Sequence, residues 1–332
     1  MEHRKADHLD MAFRSQVDSL MHDSRFNYEP MICAHPNGAP GSISFLGRKM
    51  KSPIWISSMT GGTLAARKIN TNLAKVCHDF GLGMGLGSCR ILLSDESHLP
   101  DFDMRTIMGD DLPLYANLGI CQVEQLVLSG KVNRIRDLVS MLRADGLIVH
   151  VNPLQEWFQP GGDRITRPPV ETMERLLDGV TFPVIVKEVG QGMGPDSLLS
   201  MMRLPISAIE FGAFGGTNFS KLELLRSDAP GHDAFDPFTR IGETAEEMIG
   251  YINSILASGE PVKCNNFIVS GGIRNFLDGY FLCKKIHAEA VYGQASEFLR
   301  HAREGYEEVF RYTEHQVIGL QLATSYLTLK KG

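Results

Sequence analysis

The sequence predicts an α/β chain folded as a (β/α)8 TIM barrel, with an N-terminal leader and C-terminal helices. Three observations lead there. Eight short apolar runs alternate with helix-length amphipathic segments. Most of these runs are apolar throughout rather than alternating, as parallel strands covered on both faces are. Nearly every run ends in a polar or charged group, namely Thr60, Ser88, Asn117, His150, Lys187, Thr217 and Arg274, as expected of residues converging on the C-terminal mouth of a barrel. A doubly wound open sheet is the competing architecture, but no GxGxxG follows the first strand.

The expected strands are PIWISS (53–58), LGMGLG (82–87), PLYANLG (113–119), DGLIVHV (145–151), PVIVKEV (183–189), SAIEFG (207–212), NFIVSG (266–271) and EAVYG (289–293). Helical periodicity falls between them at 64–80, 122–143, 170–179, 195–203, 243–257 and 275–286, while 95–108 has no clear pattern. This divides the chain into a leader (1–52), the barrel (53–299) and a helical extension of the same domain (300–332), with one or two long helices across 296–328. The longest irregular stretch, RSDAPGHDAFDPFTRIGE (226–243), reads equally well as a lid over the mouth or as a mobile surface loop.

Composition narrows the function. Of 332 residues, 43% are hydrophobic and 22% charged, so a well-buried core is expected. A net charge of −6 argues against non-specific nucleic-acid binding, although it leaves a local anion pocket open. The six cysteines (Cys33, Cys77, Cys89, Cys121, Cys264 and Cys283) show no CxxC pairing and read as reduced, mostly small core residues of a cytoplasmic protein. No apolar signal-like segment opens the sequence, and no run approaches the roughly 20 apolar residues of a membrane span.

Several constellations carry chemistry. SMTGGT (58–63) brings two glycines to the start of a helix, which suits an anion but also fits an ordinary βα turn. GGT (215–217), SGGIR (270–274) and YGQAS (292–296) follow the sixth, seventh and eighth strands. Three glycine-rich loops at neighbouring strand ends point to a phosphate-bearing ligand. Lys187, at the end of an apolar strand, needs an anionic partner. A ligand anion, a salt bridge to a neighbouring strand and a Schiff-base role are the alternatives. In HVNPLQE (150–156), His150 and Asn152 alternate to one face, and Pro153 ends the strand before Gln155 and Glu156 on the following loop. One carboxylate plus ligand phosphates is the usual way Mg²⁺ is held, so Glu156 is the candidate metal ligand. HRKADH (3–8) is either a solvated basic turn or a substrate-binding arm, and GSCR (87–90) offers Ser88 and Arg90 as further anion contacts.

Taken together these segments resemble the type 2 isopentenyl-diphosphate Δ-isomerases, an FMN-dependent barrel family. The matching stretches run in order over nearly the whole chain: RKADH (4–8), SFLGRKMKSPIWISSMTGGT (44–63), INTNLA (69–74), LGMGLGSCR (82–90), LPLYANLG (112–119), HVNPLQE (150–156), PVIVKEVG (183–190), GAFGGT (212–217), GETAEEM (242–248) and SGGIR (270–274). The resemblance implies interconversion of isopentenyl and dimethylallyl diphosphate in isoprenoid biosynthesis, by proton addition and removal. It implies reduced FMN and Mg²⁺ as cofactors, NADPH as reductant, and a homo-tetramer or homo-octamer. It also implies site roles. Met59, Thr60, Gly61, Ser88, Asn117, Lys187, Thr217, Gly272, Arg274, Gln294 and Ala295 would hold FMN. Arg4, Lys5, His8, Ser88, Arg90, Asn152 and Gln155 would hold the substrate. Gln155 and His150 would be catalytic, and Glu156 would bind the metal. The leader would then contribute to the substrate site. Departures from the family pattern fall at Gly212, Phe214, Ile241 and Tyr292. An FMN-dependent oxidoreductase on the same barrel is the alternative enzyme. It is disfavoured because residue 273 is Ile and no histidine closely precedes Arg274. A non-catalytic flavin- or prenyl-diphosphate-binding paralogue is the other alternative.

Overall fold

The computed structural model describes residues 7–8, 11–37, 41–58, 64–227 and 231–330. Eight parallel strands close a barrel in chain order: β1 Ile54–Ile56, β2 Gly83–Gly85, β3 Leu114–Gly119, β4 Gly146–Val151, β5 Val184–Glu188, β6 Ala208–Glu210, β7 Asn266–Ser270 and β8 Glu289–Gln294. The last strand pairs with the first, Gly293 opposite Trp55. All eight lie where the apolar runs predicted, and the barrel rather than the open sheet is the architecture.

Alternation along each strand sorts the core into two layers. Inward-facing Trp55, Tyr115, Ile148, Ile185, Ala208, Ile268 and Val291 fill the lumen. Outward-facing Val149, Val184, Val186 and their counterparts pack against the helices. Below the lumen, a hairpin of the leader, Ile43–Phe45 with Arg48–Met50, inserts Phe45 and Met50 under Trp55, with the Phe45 and Trp55 rings 6.4 Å apart. One end of the barrel is therefore plugged, and the other is the mouth. Another part of the leader, Phe26–Tyr28, pairs with Leu327–Leu329 after the last helix, so the two chain ends meet on the barrel wall.

The helical layer differs from expectation at three places. Periodicity at 122–143 suggested one helix, but there are two, Ile120–Leu128 and Asn133–Met141. They are separated by Gly130 at φ 67°, with Lys131 N–H donating to the Leu126 carbonyl in a glycine C-cap. Gln155 and Glu156, expected on a loop, lie in a short helix Pro153–Phe158 that begins at the proline, where φ is already suited to a helix. The segment 95–108 is two short helical pieces, Glu96–Asp101 and Arg105–Met108. Across 296–328 there are two helices, Ser296–Glu304 and Tyr306–Tyr326, broken at Gly305. No helix among the described residues is long and apolar enough to cross a membrane.

Candidate active site

One side of the mouth is built from the ends of β1, β5, β6, β7 and β8. A cavity of about 570 Å³, including its opening to solvent, is lined by Ser57 and Ser58, Lys187 and Glu210, Gly216 and Thr217, Ser270 to Ile273, and Gly293 to Glu297. Of the expected flavin ligands, it brings together Lys187, Thr217, Gly272, Gln294 and Ala295. The glycine loops after β6 and β7 touch one another, so that a methyl group on Gly216 would come within 3.2 Å of the Gly272 nitrogen. Gly271 and Gly272 both have left-handed backbones, at φ 93° and 72°. Nearby, the eighth-strand loop feeds the N-terminus of the helix Ser296–Glu304, whose partial positive charge favours an anion.

Not every predicted ligand reaches this cavity through its side chain. Gln294 is buried, donating to the Ile273 carbonyl at 3.3 Å and accepting from Tyr312 Oη at 3.0 Å, so its amide braces the loop. Arg274 lies in a separate depression behind the glycine loop with Arg25, Thr244 and Glu246. Ser88 and Arg90 line a third depression together with Gln122. Arg4, Lys5, Met59, Thr60 and Gly61 lie outside the described residues, whereas His8 sits on an exposed helical turn.

HVNPLQE forms a second polar centre beside the first. His150 Nδ1 is 2.8 Å from Asn117 Oδ1, and the Asn117 amide donates to the Leu86 carbonyl at 3.0 Å. That second bond turns the Asn117 oxygen towards the imidazole. The neutral ring therefore carries its proton on Nδ1 and leaves Nε2 as an acceptor. Burial, reinforced by the charge of Lys187, pushes the His150 pKa down to about 3. Asn117 thus braces His150, with both ends of its amide already engaged.

Asn152 is buried and donates to Gln155 Oε1 at 2.9 Å and to Glu156 Oε1 at 3.3 Å, while its own oxygen has no partner. Glu156 Oε2 accepts the Asp163 backbone N–H at 3.0 Å. Asp163 in turn pairs with Arg90 at 2.9 Å and accepts from Gln122. Arg90 is therefore linked through Asp163 to the carboxylate expected to hold the metal. Gln155 donates to Glu223 Oε1 at 3.4 Å, and Glu223 is buried against Arg226.

An apolar pocket of about 1300 Å³, including its opening to solvent, extends outward from Asn152 and Gln155 between β4, β5 and the helix Pro195–Met202, with Leu154, Val170, Val186 and Met193 in its wall. Glu188 faces this side, opposite to Lys187, as alternation requires. Its carboxylate gathers the N–H groups of Gly190, Gln191 and Gly192 at 2.6 to 2.9 Å, and burial pushes its pKa up to about 7 against those bonds.

The stretch 226–243, expected to be irregular, contains the 3-10 segment His232–Arg240 and follows the helix Phe219–Arg226. The 3-10 segment lies over the HVNPLQE helix, with Phe235 and Phe238 ringed around Phe158 at 5.5 and 6.3 Å. Gln191 ties it down by donating to the Phe238 and Ile241 carbonyls. Two departures from the family pattern have structural reasons. Gly212 has φ 51°, and any side chain there would overlap the Glu188 carbonyl; its N–H takes a hydroxyl partner from Ser270 instead, at 3.0 Å. Phe214 bridges to Thr244 and packs beneath Gly242, holding the far end of the covering segment.

Sequence reading overlooked Glu210, Asp163 and Glu223. Glu210 had a usable signal, a carboxylate inside the apolar run SAIEFG. Asp163 and Glu223 stand in polar surroundings with nothing to mark them.

No protein-family model matches the sequence. Among solved structures, the chain is similar to the recombinant flavin-binding domain of baker's yeast flavocytochrome b2 (TM-score 0.62, 11% identity, covering 90% of this chain and 71% of that one). It is also similar to a mandelate oxidase mutant with a monooxide FMN adduct (TM-score 0.54, 13% identity, 93% and 88% covered). At such identities these share the fold alone. Curated relatives are much nearer in sequence. An isopentenyl-diphosphate delta-isomerase of Rickettsia peacockii is 32% identical over 330 residues, covering 98% of this chain and 92% of the relative. That of Rickettsia rickettsii strain Sheila Smith is 32% identical over 334 residues with the same coverage, and that of Rickettsia prowazekii 31% over 305 residues, covering 90% and 85%. With a closed eight-stranded barrel, the HVNPLQE centre at its mouth and this near full-length identity, the chain belongs to the isopentenyl-diphosphate delta-isomerase family.

Proposed function

We propose that this chain interconverts isopentenyl and dimethylallyl diphosphate in the FMN-dependent, type 2 manner, with Mg²⁺ and with NADPH as the reductant. The observation that carries the reading is the adjacency of two unlike sites. A glycine-lined cavity with a buried lysine lies beside His150, the register neighbour of that lysine, and the cluster of Asn152, Gln155 and Glu156 that follows it. The cavity suits a flavin on its own terms. The hydroxyls of Ser57 and Ser58 and the carboxylate of Glu210 are buried in its wall without hydrogen-bond partners, as expected where a polar ligand completes the bonding.

Lys187, Thr217, Gly272 and Ala295 would hold FMN, which when bound and reduced supplies acid–base capacity and negative charge beside the alkene. The chain's own groups do the rest. His150 would meet the diphosphate through Nε2, taking up a proton there, and Asn152 would do so by exchanging one of its N–H bonds to Gln155 or Glu156. Gln155, held by Asn152 on one side and Glu223 on the other, presents a neutral amide that orients the alkene without trapping a transient cation. Glu156 would provide one hard oxygen ligand to Mg²⁺, with phosphate and water as the others. The apolar pocket next to Gln155 gives the hydrocarbon end a dry wall. A homo-oligomer is supported by the apolar side chains the leader leaves exposed, including Phe13, Val17, Leu20, Met31 and Ile32.

The test is an anaerobic assay with isopentenyl diphosphate, FMN, Mg²⁺ and NADPH or dithionite, followed by NMR. Dimethylallyl diphosphate forming only with reduced flavin and metal, without stoichiometric NADPH loss, is the expected result. Bound FMN with no product would overturn the reading.

A further inference from the structure

Lys187 and Glu210 stand opposite one another on neighbouring strands, in register in the β5–β6 ladder, and both side chains point into the barrel mouth. Glu210 is 0% exposed and Lys187 only 7%. No ion pair or hydrogen bond joins Lys187 to any described residue, and neither oxygen of Glu210 accepts a hydrogen bond. The hydroxyls of Ser57 on the β1 side and Ser270 on β7 face the carboxylate without bonding it fully. A carboxylate stripped of water and only partly served by donors is disfavoured unless a nearby cation offsets the loss. Lys187 is the cation that acts on it.

We propose that Glu210 is a positioning residue that fixes the charge of Lys187, so that the ammonium is held protonated and aimed into the cavity before any ligand arrives. Burial raises the Glu210 pKa, and Lys187 is the largest influence opposing that rise. Lys187 thus favours the charged form of Glu210 across one strand spacing. The other titratable groups around the lysine are His150 from β4, which is neutral, and Glu188, which faces the opposite side of β5. Neither replaces Glu210 as a counter-charge in the lumen. Without Glu210, Lys187 is a buried cation with no anion, and it releases its proton more readily.

The inference rests on the flavin reading for one of its two readouts and is independent of it for the other. In ligand-free protein labelled with 15Nζ-lysine, with the Lys187 signal assigned by its loss in Lys187→Met, the signal is titrated by NMR. Glu210→Gln, which keeps size and removes charge, is expected to make Lys187 at least tenfold easier to deprotonate. Glu210→Asp, which keeps the charge one methylene further back, is expected to recover most of that change. Should the Gln variant fail to fold, the Asp variant still decides, since a smaller shift in the same direction is expected. An unchanged Lys187 titration overturns the proposal. The second readout is FMN affinity against pH. The alkaline loss of binding is expected at least one pH unit lower in Glu210→Gln than in wild type, and an unshifted profile with normal FMN binding again overturns the proposal. Wild-type protein that binds no FMN sinks the flavin reading instead and leaves the lysine titration to decide.

Discussion

His150 gives the most direct link between this structure and a measurable free energy. Its ring is braced by Asn117 at 2.8 Å, and burial beside Lys187 lowers its pKa from 6.5 to about 3. The unfolded chain takes up the proton near pH 6.5, whereas the folded chain does so only near pH 3. Between those values the unfolded state binds more protons, so stability falls as pH falls through this window and is fully present above it. Each pH unit costs about 1.36 kcal/mol. From pH 6.5 down to 5.0 the cost is about 2 kcal/mol, a ceiling because the ring borders the open mouth. His150→Gln keeps a polar group of similar reach and removes the titration. Urea unfolding of wild type and variant at pH 7.5 and 5.0 measures the difference. Wild type is expected to lose up to about 2 kcal/mol more than the variant over that interval. Inorganic pyrophosphate, if it settles at Nε2, is expected to be taken up with a proton and to shrink the difference. Equal losses in the two proteins without ligand would refute a neutral, buried imidazole.

Three other outcomes follow from the same geometry. Gly212→Ala forces a side chain onto the Glu188 carbonyl at a left-handed backbone position; a loss of about 3 kcal/mol or more is expected in urea unfolding, and a loss under 1 kcal/mol would contradict the strand-end packing. Glu188, with its pKa pushed up to about 7, costs stability as pH rises from its ordinary 4.5 through 7; Glu188→Gln is expected to flatten that decline, and an unaltered pH–stability curve over that range would count against the raised value. Glu156→Gln is expected to abolish Mg²⁺-dependent isomerisation while FMN still binds, measured by flavin fluorescence beside the NMR assay; full retained activity would remove Glu156 from the metal site.

The barrel was legible because its signal is local. Eight runs such as PVIVKEV carry their own length, β-branched content and polar end, and each predicted strand overlaps an observed one. Strand alternation likewise separated Lys187 from Glu188 correctly. Features that depend on a turn were less legible. The break at Gly130 hid inside an otherwise continuous helical pattern, and the Pro153–Phe158 helix is too short to show a period. The predicted flavin ligands Lys187, Thr217, Gly272, Gln294 and Ala295 do gather in one cavity, while Ser88 and Arg274 line other depressions.

By itself, then, the sequence determined the barrel, the order of its strands and the concentration of polar chemistry at their C-terminal ends, because those follow from periodicity and from which residues resist burial. Only the tertiary structure decided which polar groups face one another. It set Glu210 against Lys187, Asn117 against His150, and Arg90 through Asp163 against Glu156. It also laid Phe235 and Phe238 over Phe158. These contacts join residues tens of positions apart. They are set by strand register and helix docking, which no single stretch of sequence encodes.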